Sequence, residues 1–401
     1  MHFSTRCIHG PGPSPDQTGA IATPIYQTAT FAHPGVGRST GFDYTRSVNP
    51  TRSSLERTMA CVEQGAAAYA FASGMAAIAT VLELFAPGDH LVVSADIYGG
   101  THRLFADVSA KNGLAFSRAS TAEEITAAIT ARTVAVFVET PTNPMMRVAD
   151  IVAAAEAAHA AGALLIVDNT FLTPCFQRPL ELGADIVVHS ATKYLAGHND
   201  TIAGVVVVAD AVLGERVGAL RCTLGGALAP FDAWLVERGL KTLAVRMERQ
   251  AASAAVLARW LRAHPAVREV FYTGLEDHPG HATAERQASG HGAMISFRVA
   301  DQATAHAVLA SVRLIQFAES LGGVESLITY PVTQTHADVP EDARRALGID
   351  ETLLRLSVGL EDVRDLVADL DSALGALAGQ GRLDQRDQVF QRVQVAGHGG
   401  R

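Results

Sequence analysis

Between about residues 67 and 209, short and almost wholly apolar runs alternate with stretches of helical spacing. Apolar runs of this kind are typical of strands that are buried on both faces. Strands that alternate with helices indicate a mainly parallel sheet whose faces are covered, so we predict an α/β fold. Polar residues directly follow several of these runs, and open α/β sheets bind ligands at the carboxyl ends of their strands.

One of these runs ends close to a lysine. In the stretch DIVVHSATKYLAGHN, the apolar residues 186–188 lead to Ser190, Thr192 and Lys193. The whole chain contains only two other lysines, Lys111 and Lys241, so a lysine at this place is unlike a solubility residue. Because desolvation lowers the pKa of an amine, such a lysine becomes a nucleophile and can form a Schiff base.

Neighbouring residues supply the other groups that a pyridoxal phosphate (PLP) site needs. Asp168 ends the preceding apolar run and suits a protonated pyridine nitrogen, while the hydroxyls of Ser190 and Thr192 suit a phosphate ester. Taken singly, each has an ordinary interpretation: a surface lysine, a Ser-x-Thr turn, and an aspartate that caps a helix or binds a metal. Together they predict PLP chemistry.

Two upstream segments add candidate cofactor contacts. Ser73, Gly74 and Met75 form a turn that opens a helix, where free amides and the helix dipole favour phosphate. Tyr98 lies on a glycine-rich loop, YGGT, and either stacks on a planar cofactor or packs as a loop aromatic. The sequence contains neither a GxGxxG dinucleotide fingerprint after a strand nor a GxxxxGK loop.

Residues 1–60 are rich in glycine and proline, and we expect an extended arm there without a long amphipathic helix. Within it, Arg46 can pair with a phosphate through its guanidinium group, and Tyr44 can add a hydroxyl. An arm of this length cannot pack on itself, so we expect it to embrace another subunit. A disordered N-terminus is the alternative, which the arm's aromatic residues disfavour.

The remaining chain is predicted to form a PLP-binding domain over residues 61–245, a smaller C-terminal α/β domain over 246–380, and a flexible tail over 381–401. Arg355 lies inside the strand-like run LLRLS, where it needs a partner: a substrate carboxylate or an internal salt bridge. Lys241 lies in a run of helical spacing and is interpreted as structural.

Composition excludes several classes of protein. The net charge of −9 argues against nucleic acid or an anionic membrane as a partner, and no apolar run approaches the roughly 20 residues of a membrane span. We expect no secretory leader, and we predict a cytoplasmic protein. The four cysteines form no CxxC pair, so we expect neither a disulfide framework nor a metal site.

These stretches together resemble the Cys/Met-metabolism (transsulfuration) family of fold-type-I PLP enzymes. The motifs that carry the resemblance run in family order from Tyr44 to Asp362 and are FDYTRSVNPTR, FASGMAA, YGGT, ETPTNP, DNTF, HSATKYLAGHND, RGLKTL, ESLGGVES and LRLSVGLED. The resemblance implies an aspartate-aminotransferase-like fold, with a mostly parallel seven-stranded sheet between layers of helices.

The resemblance also implies a role for each candidate residue. Lys193 would attach the cofactor covalently and move protons, Asp168 would pair with its pyridine nitrogen, and Tyr98 would stack on its ring. The residues that would surround the phosphate are Ser73, Gly74, Met75, Ser190 and Thr192, with Tyr44 and Arg46 from a neighbouring subunit. The residues that would hold the substrate α-carboxylate are Arg355, Asn143 and Ser320. Glu139 matches a position near the cofactor whose role stays open. The implied assembly is a homo-oligomer with active sites at subunit interfaces: a dimer, paired into a tetramer.

Three features favour one reaction within the family. Methionine γ-lyases commonly have cysteine at the place of Gly100, which disfavours that activity. Glu325 and Asp43 are similar to residues of cystathionine γ-synthases and γ-lyases, and acids at the pocket mouth would favour an ammonium group. Ser47 stands where synthases that use O-succinylhomoserine tend to have a second arginine, which leaves Arg103 as the nearby cation and favours an O-acetyl ester.

We therefore predict γ-replacement on an O-acylhomoserine, with the O-acetyl ester favoured, by cysteine to give cystathionine, and also by sulfide to give homocysteine. This is the chemistry of bacterial cystathionine γ-synthases that also act as O-acetylhomoserine thiolyases, enzymes of methionine biosynthesis. The alternatives are a cystathionine γ-lyase or β-lyase of the same fold and, more remotely, a catalytically silent PLP-binding scaffold. The acyl group, the thiol and the choice of dimer or tetramer stay open.

Overall fold

The computed structural model describes residues 1–12 and 18–375. The strands are β1 (Ala67–Phe71), β2 (His90–Ser94), β3 (Ala115–Ala119), β4 (Thr133–Glu139), β5 (Leu164–Asp168), β6 (Ile186–Ser190), β7 (Gly204–Val208), β8 (Val267–Phe271), β9 (Met294–Val299), β10 (Gln316–Phe317), β11 (Leu327–Thr329) and β12 (Leu353–Ser357). The helices are α1 (Phe3–His9), α2 (Pro50–Glu63), α3 (Gly74–Leu82), α4 (Gly99–Arg103), α5 (Ala122–Ala128), α6 (Ile151–Ala160), α7 (Thr173–Phe176), α8 (Ala211–Leu224), α9 (Pro230–Leu240), α10 (Leu243–Ala263), α11 (His281–Gln287), α12 (Gln302–Ser311), α13 (Glu341–Ala346) and α14 (Val363–Gly375). A π-helical turn (Leu104–Ser109) and a 3-10 turn (Pro179–Leu182) complete the set.

The first sheet has seven strands in the order β1-β7-β6-β5-β4-β2-β3. Strands β3, β2, β4, β5 and β6 run parallel, and β7 runs antiparallel to both of its neighbours. This confirms the predicted seven-stranded, mostly parallel sheet.

Successive residues of the central strands pack on opposite faces of this sheet, as the strand period of two requires. On one face, Ile186 and Val188 join the cluster that contains α3 and α8. On the other face, Val187 joins the cluster that contains α6. Helices therefore cover both faces, which explains why these strands are almost wholly apolar in sequence.

The second sheet has five strands in the order β10-β11-β12-β9-β8. Its central strand β12 pairs antiparallel with β9 and β11, and Arg355 of β12 lies opposite Thr329 of β11 and Ser296 of β9. An arginine thus sits in the middle of a buried sheet, 1% exposed. Such a position requires a complete set of polar partners.

The expectation that residues 1–60 hold no long helix is wrong. Helix α2 begins at Pro50 and packs against α9 and β1. Asn49 caps it, since its side-chain oxygen accepts from the backbone N–H groups of Thr51 (3.0 Å) and Arg52 (3.4 Å). The Asn-Pro pair of SVNPTR was a start signal for this helix that the high glycine and proline content concealed.

The predicted domain limits fall inside helices, because residue 60 lies in α2 and residue 245 lies in α10. The division into domains stays a prediction, and the tail over 381–401 lies outside the described residues. The run of helical spacing that contains Lys241 forms two helices, with α9 ending at Leu240 and α10 beginning at Leu243, so Lys241 lies between them. Across the described chain, no helix combines the length and apolarity of a membrane span.

Candidate active site

A cavity of about 1380 Å³ lies at the carboxyl ends of the central parallel strands and extends to the second sheet. It brings together most of the predicted site residues. Those that line it are Ser73, Gly74, Met75, Tyr98, Arg103, Asn143, Asp168, Ser190, Thr192, Lys193, Ser320, Glu325 and Arg355. Asp43, Tyr44 and Arg46 are not among the residues that line it within this chain.

Lys193 follows β6 and reaches across to the second sheet, where its Nζ lies 2.9 Å from Ser320 Oγ. Burial, assisted by the positive charge of Arg355, lowers the pKa of Lys193 to about 8. The amine is therefore available in its uncharged, nucleophilic form near neutral pH, as its sequence context predicts.

Asp168 ends β5 on the floor of the cavity. Its Oδ1 accepts from the hydroxyl of Thr170 (2.6 Å) and from the backbone N–H of Thr170 (3.0 Å). Burial raises the pKa of Asp168, while the two bonds from Thr170 and the charge of His189 act in the opposite direction. The carboxylate is thus held in one orientation by its own turn.

Glu139 ends the neighbouring strand β4 and fixes two backbone segments at once. Its carboxylate accepts from the backbone N–H of Tyr98 (2.9 Å) and from that of Asn143 (2.9 Å). Burial and then the negative charge of Asp168 raise its pKa well above the usual range for glutamate. Glu139, whose role the sequence left open, thus positions the backbone of two predicted site residues, Tyr98 and Asn143.

The phosphate end of the cavity lies where α3 begins beside the end of β6. Ser73 caps α3 by accepting from the N–H of Ala76 at 3.0 Å. A Cβ at Gly74 would lie 3.0 Å from the Cβ of Ser190, so a larger residue would push the two segments apart by a few tenths of an ångström. The Thr192 hydroxyl already bonds to both backbone groups of Ala203. These backbone amides and hydroxyls form a small polar cradle at a helix N-terminus.

Tyr98 precedes α4, and its ring lies over Gly100 and Met75. A Cβ at Gly100 would be 2.6 Å from the ring atom Cε1 of Tyr98 and 3.1 Å from the sulfur of Met75. A residue larger than glycine therefore requires the ring to move. The side chain of Tyr98 is still 41% exposed, so its face is available to a planar ligand.

Arg355 crosses from the second sheet to the first. One of its terminal nitrogens, Nη1, donates to Asn143 Oδ1 (2.8 Å), and Nη2 donates to the Ser320 carbonyl (2.9 Å) and to Thr329 Oγ1 (3.0 Å). Its Nε is buried without a partner among the described residues. Burial lowers its pKa to about 10, which leaves the guanidinium charged at neutral pH. None of these partners is a carboxylate, so Arg355 forms no internal salt bridge with the residues that the structure describes, and a ligand carboxylate fits.

Ser320 has a backbone φ of 91°, in the left-handed region that side chains rarely adopt. In this conformation its hydroxyl meets Lys193 while its carbonyl accepts from Arg355. Strain of this kind persists where surrounding contacts over-determine it, as they do at this point.

The cavity mouth carries more acids than free cations. Glu325 accepts from Asn199 Nδ2 at 2.8 Å, and Glu319, Asp200 and Asp338 also line the cavity. Arg103 is paired with Asp338 in a salt bridge whose two side chains are more than half exposed. The mouth therefore favours an ammonium group over a second carboxylate.

The three arm residues lie elsewhere in the chain. Arg46 donates to the carbonyl of Cys222 at 2.6 Å and stands 5.6 Å from the centre of the Tyr44 ring. Asp43 accepts from the Ser39 hydroxyl at 2.6 Å. Their predicted roles toward the cofactor and substrate stay predictions, since those roles belong to a neighbouring subunit.

Sequence reasoning missed two threonines that hold site residues. Thr170 orients Asp168 and also accepts from the backbone N–H of Ser190 at 2.9 Å, and Thr329 supports Arg355. The position of Thr170, two residues after an aspartate, is a local turn signal that could have identified it. Thr329 gives no such signal because its contact depends on strand pairing.

The residues of the cavity fit PLP. A cradle of amides and hydroxyls that a Cβ at Gly74 would crowd, a strand-end aspartate and a lysine of lowered pKa match the donor and acceptor groups of that cofactor. Ser73, Gly74, Met75 and Ser190 would hold the phosphate, joined by Thr192 once its hydroxyl turns away from the Ala203 carbonyl. Asp168 would hold the ring nitrogen and Lys193 the aldehyde carbon.

The chain matches the family model described as Cys/Met metabolism PLP-dependent enzyme over residues 4–375. It is 48% identical over 376 residues to the cystathionine γ-synthase/O-acetylhomoserine (thiol)-lyase of Bacillus subtilis, covering 93% of this chain and 96% of that one. It is 49% identical over 379 residues to the cystathionine β-lyase of Coxiella burnetii, covering 93% and 98%. The solved structure of a cystathionine γ-lyase from Lactobacillus plantarum, complexed with L-serine, superposes with a TM-score of 0.91 at 44% identity, covering 94% and 100%.

Proposed function

This chain belongs to the Cys/Met metabolism family of PLP-dependent enzymes and has its fold-type-I architecture, and on that premise we propose that it is a cystathionine γ-synthase. It replaces the γ-acyloxy group of an O-acylhomoserine by the sulfur of cysteine to give cystathionine, and it also accepts sulfide to give homocysteine. The relative from Bacillus subtilis whose name combines these two activities is 48% identical, which supports the proposal.

The observation that carries the proposal is the charge distribution along the cavity. Arg355 is the carboxylate-binding group, and Glu325 and Asp200 line the same cavity as acids. An amino acid held by its carboxylate at Arg355 shares the cavity with those acids. The second amino acid, cysteine, brings an ammonium group that they attract.

Arg103 supports the O-acetyl ester as the substrate. Its exposed salt bridge with Asp338 offers it a carboxylate partner within the chain. An O-succinyl substrate would have to compete with Asp338, whereas an acetyl group needs no cation. We therefore expect O-acetylhomoserine to be used with the higher kcat/KM.

The chain's own residues perform the proton transfers. When bound, PLP supplies an electron sink that acidifies the substrate carbon attached to the amine. Lys193 Nζ would take the proton from the substrate Cα, give it back to the conjugated system that the bound cofactor extends, and then, uncharged again, take one from Cβ; its Nζ lies 2.9 Å from Ser320 Oγ. Asp168 holds its charge toward the ring nitrogen because Thr170 fixes its carboxylate.

A product assay on the PLP-loaded protein tests the proposal. O-acetylhomoserine with cysteine should give cystathionine, and cystathionine alone should remain nearly unchanged over the same time. A Lys193→Ala protein should be inactive in both assays. If that variant kept its activity, the assigned mechanism would be wrong, whereas a wild-type protein inactive in both assays would support the silent-scaffold alternative.

A cystathionine lyase is the second candidate, and the same acids favour it. They would hold the distal ammonium of cystathionine as a substrate as well as that of cysteine, and the relative from Coxiella burnetii is named a β-lyase at 49% identity. Pyruvate or 2-oxobutyrate with ammonia, formed from cystathionine alone and without any replacement product, would identify this activity.

We also propose that the active unit is a homodimer, paired into a tetramer, in the cytoplasm. The support is the arm. Thr30 and Tyr44 form an isolated β-bridge, and several arm residues between 20 and 45 are exposed, including Ile21 and Val36. Exposed apolar residues on an extended segment favour a covering partner. Size-exclusion chromatography with light scattering measures the assembly, and a monomer would contradict this part of the proposal.

A further inference from the structure

Two histidines and a glutamate meet at the edge of the second sheet, apart from the residues that line the cavity. His281 and Glu285 lie one turn apart on α11 and therefore on the same face of that helix. His291 lies in the loop between α11 and β9. One ligand atom from each of the three residues lies within 4.8 Å of the others.

Thr273 orients both histidine rings. Its carbonyl oxygen lies 2.8 Å from His281 Nδ1, which makes that nitrogen the donor and leaves Nε2 with the lone pair. Its hydroxyl lies 3.3 Å from His291 Nδ1. The two rings lie nearly parallel, with centres 5.5 Å apart and an angle of 19° between their planes. One fully buried residue thus presents the Nε2 sides of both rings together, as outer partners do around metal-binding histidines.

Glu285 completes the group from the open side. Its Oε1 lies 2.7 Å from His291 Nε2, and its side chain is 58% exposed and free to rotate. His278, the third histidine of the segment, is oriented differently, because its Nδ1 accepts from the backbone N–H of Gly280 at 3.0 Å. A neutral His278 therefore carries its proton on Nε2 and has no nitrogen left for a metal.

We propose that His281, His291 and Glu285 form a binding site for a divalent transition-metal ion of the Zn²⁺ type, with water in the fourth position. Two imidazoles and a carboxylate are ligands that zinc accepts. Ligand bonds of about 2.0–2.1 Å in a tetrahedron place neighbouring ligand atoms about 3.3 Å apart. The ligand atoms lie within 4.8 Å of one another, with Glu285 Oε1 2.7 Å from His291 Nε2, so the exposed Glu285 has to draw back slightly and the histidine rings have to approach each other to reach that distance.

The ion would act as a structural clasp. It joins α11 to the loop that enters β9, and Thr273, which orients both rings, follows β8. The ion would therefore tie α11, through His281 and Glu285, to the loop before β9, through His291. Both elements lie beside the β8–β9 pair. The expectation of no metal site rested on cysteine spacing alone, and histidine and carboxylate ligands are independent of that pattern.

The competing interpretation is a plain His291–Glu285 ion pair without a metal. Calorimetric titration of the chelator-treated, PLP-loaded enzyme with ZnCl₂ separates the two. We expect one high-affinity ion per chain. His291→Phe and the exposed substitution Glu285→Gln should each weaken binding by at least about tenfold, as loss of a ligand predicts.

His278→Asn is the matched control, because it removes a histidine of the same segment while its amide can still accept from Gly280. Zinc binding should be unchanged in this variant. Co²⁺ in place of Zn²⁺ should give visible absorption bands of four- or five-coordinate cobalt in wild type and not in His291→Phe. Failure to bind Zn²⁺ below about 100 μM, or equal binding by wild type, His291→Phe and Glu285→Gln, would overturn the proposal.

Discussion

Glu139 and Asp168 are register partners at the ends of the adjacent parallel strands β4 and β5. Two carboxyl groups thus share one buried place, and the charge of Asp168 adds to burial in raising the pKa of Glu139. Two negative charges this close repel each other, so the state in which both carboxyl groups are ionised is disfavoured. We infer that the pair holds a proton on Glu139, which keeps the charge on Asp168 for the ring nitrogen of the cofactor.

Substitution Glu139→Gln tests this relationship. The glutamine oxygen can accept from only one of the Tyr98 and Asn143 amides, and its NH₂ group then faces the other N–H. An unsatisfied buried group costs about 1–3 kcal/mol, so we expect kcat/KM to fall roughly 5- to 150-fold. The exposed Glu156→Gln is the control, and steady-state kinetics with circular dichroism is the measurement. Unchanged kinetics in Glu139→Gln would show that the two amides do not depend on it.

The reactivity of Lys193 should follow its lowered pKa. In cofactor-free protein, half of its amines are uncharged at about pH 8, whereas only about 0.3% would be at the ordinary pKa of 10.5. Acylation of Lys193 should therefore rise with pH and reach half its maximum near pH 8. Mass spectrometry of the digest measures it, with Lys111 and Lys241 as references for decay of the reagent. A midpoint near 10.5 would contradict the burial of this amine.

Arg355→Lys should impair substrate binding more than turnover. Lysine keeps a charge but cannot contact Asn143, Ser320 and Thr329 together, and it loses the two-pronged contact with a carboxylate. A loss of about 2–3 kcal/mol corresponds to a KM raised roughly 30- to 150-fold. Arg364→Lys, in an exposed pair with Asp362, is the control. A KM within threefold of wild type would exclude Arg355 as the carboxylate anchor.

Asp96 should make the stability of the fold depend on pH. Burial raises its pKa to about 6, and its Oδ1 has no partner among the described residues. A carboxyl whose pKa is raised on folding stabilises the protein below its unfolded pKa of 3.8, and this contribution disappears as the pH rises through 6. Relative to Asp96→Asn, wild type should lose on the order of 2–3 kcal/mol of unfolding free energy between pH 4 and pH 7.

Urea unfolding of both proteins at several pH values measures this difference, since contributions of other groups cancel between them. The exposed Asp107→Asn is the control and should follow wild type. Parallel pH curves for wild type and Asp96→Asn would contradict the raised pKa.

If the N-terminal arm serves a neighbouring subunit, two inactive variants should complement each other. If Arg46 serves the cofactor of a neighbouring subunit, Lys193→Ala and Arg46→Ala chains should restore each other when refolded together. Half of the dimers then contain both chains, and each has one intact site, so the mixture should reach about 25% of wild-type activity. The two variants assayed separately are the control. No recovery in mixed dimers, verified by differently tagged chains, would place Arg46 outside the shared site.

The sequence was sufficient to predict the parallel sheet and the residues that end its strands, because both depend on local patterns. Asp168 stands directly after an apolar run, Lys193 stands shortly after another, and Ser73 opens a helix. Arg355 was recognised because an arginine is unusual inside an apolar strand, but its hydrogen-bond partners could not be predicted. Asn143 and Thr329 reach it only through the pairing of distant strands, which no local pattern contains.

Two other features depended on context that a single sequence hides. The start of α2 was concealed by the surrounding glycines and prolines, although Asn49 and Pro50 formed a correct start signal. The grouping of His281, Glu285 and His291 required the turn between α11 and β9 to be known. In both cases the sequence shows which residue types are present, but it does not show how they are arranged in space.

The contact between Arg355 and Asn143 joins a residue that is synthesised late to one that is synthesised early. The parts of the site therefore leave the ribosome in a fixed order. The groups suited to the cofactor, from Ser73 to Lys193, lie in one continuous stretch and emerge early, with the strands that support them. Arg355 emerges some 160 residues after Lys193, and its strand then needs β9 and β11 as neighbours. A nascent chain therefore carries its residues for the cofactor before it carries the arginine suited to an amino-acid carboxylate, and early release of an incomplete chain would leave a fragment that lacks this arginine.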